Sequence, residues 1–326
     1  METINIGSVE ASGSGRYEGT LPTAVMPDGA SVDIPVVVIR GEGPGPVLWL
    51  HGCVHGNEYC GTFSIHEFLR SLDTTSVKGA VVALPVLNLT AFRAYRRMSP
   101  FEGFNNGDLN RCFPGRNDGG FTEQTAQAIY APLKRYATHL VDFHTAFTAD
   151  TRWALYADVG GKVSAEGRRM AEAFGYEHTL PTPAGTLGGS AMMTAAADGI
   201  PSFIVEAGGV GNAFSRATVE DVAERLRNVA RAIGLLDGEI TDYGPLTTFS
   251  NFHWATAPRG GLFRPTVYCG QRVEKGEVIG IYTDAFGDED GVAQAPASGV
   301  VLAYHPGPII PQGDVLIHIG LNPKRA

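Results

Sequence analysis

The chain has 326 residues, 44% of them hydrophobic, enough for one large α/β domain with a smaller appendage and a substantial buried core. Its net charge of -9, with Lys and Arg scattered, offers no phosphate-neutralising patch or basic helix, which excludes nucleic acid and anionic membranes as natural partners and favours a small molecule. No stretch approaches the roughly 18 apolar residues of a membrane helix, and the start, Met-Glu-Thr-Ile-Asn-Ile, lacks the basic-then-apolar plan of a secretory signal, so the expected location is the cytoplasm.

In chain order, the apolar run at 47–50 reads as a buried parallel strand, followed by a helix-patterned segment at 59–72. A second strand is expected at 81–86, a helix at 122–136, a strand at 140–143, a helix at 164–174, a strand at 203–205 and a helix at 218–235. This alternation is α/β patterning, with a crossover helix available to each strand. After Gly238 the texture changes to short Val/Ile-rich pieces separated by Gly, Pro and Asp, as in residues 270–280 and 299–302. A small all-β domain fits best, giving an expected division into residues 1–240 and 241–326. Its beat of Gly-x-Val-x-x-Gly and Ala-Pro-Ala-Ser-Gly resembles lipoyl-carrier sandwiches, yet the candidate hairpin at 284–290 offers no lysine to modify. A structural or lid-like β-domain is therefore expected. The four cysteines, Cys53, Cys60, Cys112 and Cys269, form no CxxC pair and read as reduced, buried thiols.

Chemistry concentrates at the ends of the apolar strands. The sequence His51-Gly-Cys-Val-His55-Gly-Asn-Glu58 follows the first strand and precedes a helix, where α/β proteins bind ligands. His55 and Glu58 are close enough in sequence for one turn to aim both at a single centre, and Gly56 gives the backbone room to turn. His144, at the end of Leu140-Val-Asp-Phe-His144, supplies a third ligand, and two imidazoles with one carboxylate suit a catalytic zinc that keeps one position open. Asp142 points to the same strand face as His144 and is placed to hydrogen-bond a ligand imidazole. Glu206 ends the buried run Phe203-Ile-Val-Glu206 ahead of small residues. An ionised carboxylate there needs a cation nearby, and a base beside a metal that lowers the pKa of water from 15.7 to about 7 meets that need. Asn110 and Arg111, in Asp108-Leu-Asn-Arg111-Cys-Phe-Pro-Gly115, suit a clamp on a substrate carboxylate, and one guanidinium of Arg96-Arg97 suits a carbonyl oxygen gaining charge.

Taken in order, HGNE at His55 to Glu58, DLNRxFPG at Asp108 to Gly115, DFH at Asp142 to His144 and VEAGG at Val205 to Gly209 resemble the succinylglutamate desuccinylase/aspartoacylase family, which is similar to the zinc carboxypeptidases. The resemblance implies a mixed, largely parallel central sheet with helices on both faces, plus a C-terminal all-β, lipoyl-sandwich-like domain. It implies one zinc per chain on His55, Glu58 and His144, Glu206 as the base, Arg97 on the oxyanion, and Asn110 with Arg111 on the α-carboxylate of an N-acyl amino acid. By analogy with the family, a homo-oligomer is expected. The chain departs from the pattern at Leu89, where Pro is usual, and at Tyr95, where Gly commonly precedes the oxyanion arginine. The arginine that aspartoacylase-like members carry before the catalytic Glu falls near Ala196, which disfavours an acidic amine product and favours a neutral or cationic one, as in the related deacetylases of N-acetylated diamino acids. The competing expectations are a metallocarboxypeptidase acting on peptides and a catalytically silent zinc-binding relative.

Overall fold

In the computed structural model, which describes residues 2–102, 107–147 and 151–325, the apolar run at 47–50 is the buried end of a longer strand, Gly43–His51. The neighbouring strands Lys78–Leu84, His139–His144 and Ser202–Gly208 lie parallel to one another at the centre of a 10-stranded sheet. Both faces of these strands are covered, which is why they read as continuous apolar runs instead of alternating ones. On one face Leu48, Val81, Phe143 and Val205 pack against the helices Cys60–Arg70, Gly161–Phe174 and Arg216–Ala232. On the other, Trp49, Val82 and Leu140 meet the helix Phe121–Tyr136 through Ala126, Ile129 and Leu133. Full burial of one such side chain stabilises by about 1.5–3 kcal/mol.

The sheet is mixed because strands not evident from apolar runs complete it. Gly15–Val25 and Ser31–Arg40 form an antiparallel pair at one edge, and Thr151–Asp158 runs antiparallel beside Ser202–Gly208. His178–Pro183 extends the other side, parallel to Thr151–Asp158. The C-terminal residues build two four-stranded antiparallel sheets whose facing side chains include Phe263, Ile279, Tyr282, Val301, Ile317 and Ile319. This lobe is tied to the large sheet at both its ends: Thr247–Thr248 pairs with His178–Pro183, and Lys324–Arg325 pairs with Thr247–Thr248. Phe249, Val300 and Leu302 of the lobe share a core with Trp153, Leu155, Met192 and Ile204 of the α/β part. Among the described residues no helix is long and apolar enough to cross a membrane. Among the described residues no cysteine forms a disulfide. Cys53 and Cys60 are buried as expected, whereas Cys112 and Cys269 are only half-buried, because both sit in turns at the surface of the packed layers.

Parallel register places the polar strand ends side by side. His51 lies opposite Asp142, and His144 lies opposite Glu206. One end of the sheet therefore gathers four titratable side chains from three strands.

Candidate metal centre and active site

The chain leaves His51 through a tight turn in which Cys53 adopts a positive φ of 47° and the Glu58 amide donates to the His55 carbonyl at 3.1 Å. Gly56 is required for close approach: a Cβ there would lie 2.2 Å from the backbone of Ala91 and Phe92. The turn brings His55 Nδ1 to 3.0 Å from Glu58 Oε1. His144, the last residue of its strand, places its own Nδ1 3.1 Å from His55 Nδ1 and 3.1 Å from Glu58 Oε2. All three side chains are buried, with exposures of 2–4%.

The other ring nitrogens face carboxylates. His55 Nε2 lies 2.9 Å from Asp108 Oδ1, so its proton belongs on Nε2 and its Nδ1 lone pair faces the centre. His144 Nε2 is 3.2 Å from Asp142 Oδ2, although neither Asp142 oxygen has the alignment of a hydrogen bond. Asp142 is fully buried between His144 and His51. Trp49 Nε1 donates to His51 Nε2 at 2.9 Å, which leaves the His51 proton on Nδ1, 3.8 Å from Asp142. Burial lowers the His51 imidazole to about 4, against the pull of Asp142, so this ring is neutral near pH 7.

Glu58 and His144 both respond to a demand for positive charge at the centre. Burial alone would raise the Glu58 carboxyl, but the neighbouring His55 and His144 rings and the Arg97 charge hold it well below the usual carboxylate range. Burial alone would lower the His144 imidazole, yet Asp142 and then Glu58 raise it well above its ordinary value. Asp108 is likewise held low, burial being outweighed by His55, Arg97 and Arg111.

Around this core, Arg97 Nη1 donates to Glu58 Oε1 at 2.9 Å, its Nη2 lies 3.7 Å from Asp108 Oδ2, and its guanidinium sits over the Phe147 ring. Asn110 has both amide atoms engaged: Oδ1 accepts from the Ala191 amide at 3.1 Å, and Nδ2 lies 3.3 Å from His144 Nε2. Arg111 is half-buried and donates to the Asn110 carbonyl at 2.8 Å. Glu206 has one oxygen, Oε2, buried without a hydrogen-bond partner among the described residues, and burial raises its carboxyl, with Glu58 and Asp142 adding to the rise and His144 and Arg97 opposing it. A cavity of about 670 Å³ lined by Arg152, Tyr176 and Tyr268 lies apart from these residues.

Residues 44–233 match the catalytic domain described as succinylglutamate desuccinylase/aspartoacylase. The chain belongs to the succinylglutamate desuccinylase/aspartoacylase family. Among relatives of this family, an N-alpha-acetyl-L-2,4-diaminobutyric acid deacetylase from Halomonas elongata is 34% identical over 141 residues, a match spanning 42% of this chain and 40% of that relative. The product-bound structure of the ectoine utilization protein EutE from Ruegeria pomeroyi superposes with a TM-score of 0.87 at 26% identity, covering 99% of this chain and 100% of that one. A succinylglutamate desuccinylase from Silicibacter sp. TM1040 gives a TM-score of 0.84 at 26% identity, covering 96% of this chain and 97% of the other.

The family's α/β domain with an appended β-lobe is thus the fold seen here, and the three converging donors fit a divalent cation. Ligand atoms of His55, Glu58 and His144 lie within 4.8 Å of one another. Two imidazole nitrogens 3.1 Å apart beside a carboxylate need a cation or a shared proton between them. The sequence-expected residues Asp142, Asn110, Arg97 and Glu206 surround this point, and Arg111 reaches it through Asp108. Sequence reasoning gave no role to Asp108 or His51. Asp108 carried a signal as the polar residue opening its run, where it also accepts from the Asn110 amide at 3.0 Å.

Proposed function

We propose that this protein is a zinc-dependent hydrolase that cleaves the amide bond of a small N-acyl amino acid with a neutral or cationic amine product. The observation that carries the reading is the convergence of His55 Nδ1, His144 Nδ1 and the Glu58 carboxylate at 3.0–3.1 Å, next to a buried carboxylate with an unpartnered oxygen. Zinc held by those three residues supplies Lewis acidity and a lowered pKa for water. Glu206, made more basic by burial, accepts the proton of the attacking water and delivers it to the departing amine nitrogen. Water adds across the C–N bond in this sequence, giving a carboxylic acid and an amine. Asp108 and Asp142 orient the two imidazoles from behind. Arg97 faces the scissile carbonyl oxygen. Arg111 grips the α-carboxylate of the substrate, with Asn110 fixing the loop that carries it through the Ala191 amide.

The amine side follows from the position of Ala196. That residue is 3% exposed in a core with Met192 and Met193, so no cation is placed there for an acidic side chain. The named activity of the Halomonas elongata relative, on an N-acetylated diamino acid, supports the same substrate class. Each part also has a core of its own beside the one they share, which supports residues 1–240 as the catalytic unit and 241–326 as an accessory β-unit.

The test is a panel of N-acetyl-2,4-diaminobutyrate, N-acetylornithine, N-acetylaspartate, N-succinylglutamate and simple dipeptides with the zinc-loaded protein, read as amine released. Release from the first two, abolished by chelation and restored by zinc, is the expected result. Release confined to dipeptides, or undiminished after chelation, refutes the proposal.

A further inference from the structure

The β-lobe contributes a side chain to the neighbourhood of the centre. His318 lies in the strand Val315–Leu321, where Ile317 and Ile319 point into the core of the lobe. Alternation turns His318 to the opposite face, toward the α/β part. Its register partner Trp254 stacks on it at 4.6 Å with an interplanar angle of 5°. Its edge contact is with Trp153, at 6.2 Å and 88°. Trp153 is in turn the register partner of Glu206, so the two occupy the same sheet face. The charge of Arg97, the residue bonded to Glu58, acts on His318. His318 therefore approaches the sheet face that carries Glu206 from the second part of the molecule, with Trp153 between strand and lobe.

What it does there is indicated by unmet hydrogen bonds. His318 is 5% exposed, and neither Nδ1 nor Nε2 has a hydrogen-bond partner among the described residues. Trp153 Nε1 and Glu206 Oε2 are also buried, and neither has a hydrogen-bond partner among the described residues. A buried polar group without a hydrogen bond is destabilising, so a ring held only for stacking would be better served by phenylalanine. Burial and the nearby guanidinium lower the imidazole to about 4, which keeps it neutral, with one N–H to donate.

We propose that His318 is a catalytic residue of the same site, donating its ring N–H to the scissile carbonyl oxygen beside Arg97 and stabilising the charge that develops there. This rests on the deacylase reading, which places that oxygen at Arg97 and the α-carboxylate at Arg111. His318 meets Trp153, which stands opposite Glu206 in the sheet, and the Arg97 charge reaches the ring, so the reacting carbonyl is the part of the substrate it faces. Trp254, stacked behind, fixes the ring orientation.

The experiment compares wild type, His318→Phe and His318→Gln in the full zinc-loaded chain. Phenylalanine keeps the stack and loses the donor; glutamine keeps a donor and loses the stack. His318→Phe is expected to lose roughly 10²-fold in kcat with a much smaller change in KM, because an oxyanion donor acts in the transition state. His318→Gln is expected to recover part of that loss, with zinc content and Tm close to wild type in both. A purely structural role would lower Tm in both variants and leave His318→Phe within about twofold of wild-type kcat, which overturns the proposal. A second readout does not depend on turnover: imidazole ¹⁵N spectra of the zinc-loaded chain titrated with acetate, the His318 signals assigned by their loss in His318→Phe. Shifted His318 signals support the contact, and signals unmoved at saturating acetate overturn it. Wild type that releases no amine from any substrate fails the deacylase reading alone, and the acetate titration still decides the contact.

Discussion

Replacing Asp108 by asparagine removes a negative charge from behind His55 while leaving an oxygen to cap the turn that begins at Leu109. In the wild type, Asp108 Oδ1 is 2.9 Å from His55 Nε2 and also accepts from the Asn110 amide at 3.0 Å. The asparagine carbonyl can keep both contacts, so the loop should hold. What is lost is charge assistance: a hydrogen bond to a charged group contributes about 1.5–3 kcal/mol, a neutral one about 0.5–1.5 kcal/mol. The difference, on the order of 1–1.5 kcal/mol, is roughly a tenfold change in an equilibrium constant. If the amide flips to present its NH₂ to His55, the imidazole proton moves to Nδ1 and blocks the ligand position, adding to the loss. Together these give a zinc affinity weakened by about 10–100-fold, the usual consequence of removing a group that orients a ligand. Competition against a chromophoric chelator at fixed pH measures this, with Tm in excess zinc as the check that the fold is intact. An affinity within about twofold of wild type would show that Asp108 does not set the His55 tautomer.

Glu206→Gln should retain zinc stoichiometrically and lose roughly 10²-fold or more in turnover, since the amide cannot take a proton; metal analysis with steady-state rates decides, and unchanged turnover removes Glu206 from the chemistry. Gly61→Ala would put a methyl 2.3 Å from Phe143 Cβ, just before His144, and the overpacking should cost about 1–3 kcal/mol despite the better helix propensity of alanine. Its urea midpoint should fall at unchanged slope, and an equal or higher midpoint contradicts the close approach. His51 and His318 are both lowered to about 4, so between that value and the ordinary 6.5 the unfolded chain binds more protons than the folded one. Stability is then fully present above about 6.5 and falls as pH drops toward 4, by up to about 3 kcal/mol for each ring. Urea unfolding of chelated protein from pH 7 to 4.5 should show a shallower decline for His318→Phe than for wild type, and parallel curves would count against a buried neutral ring.

The central strands were legible because burial on both faces leaves no polar residues inside them, so each polar interruption stood out. His55, Glu58, Asp142, His144 and Glu206 were visible as candidates for that reason, and parallel register explains why they meet. The strands Gly15–Val25 and Ser31–Arg40 escaped notice because they lie at the sheet edge and alternate exposed with covered residues. Two prolines hid His178–Pro183. Arg97 stood out as a charge, but its bond to Glu58 depends on a turn whose geometry is set by Gly56 packing on another helix. His318 reads in sequence as the polar member of an alternating strand, an ordinary solvated position. Only the docking of the lobe on Trp153 makes it a buried one.

The short strands Thr247–Thr248 and Lys324–Arg325 act as a clasp. A lobe joined at one end only could swing open on a single hinge, but here departure and return lie hydrogen-bonded side by side on one sheet edge. Both ends would have to tear free together for a wide excursion, which leaves gentle rocking about the line of the clasp as the soft motion. Clipping the pairing at Lys324 should loosen the contact of the nearby His318 with Trp153 before it harms the sheet itself.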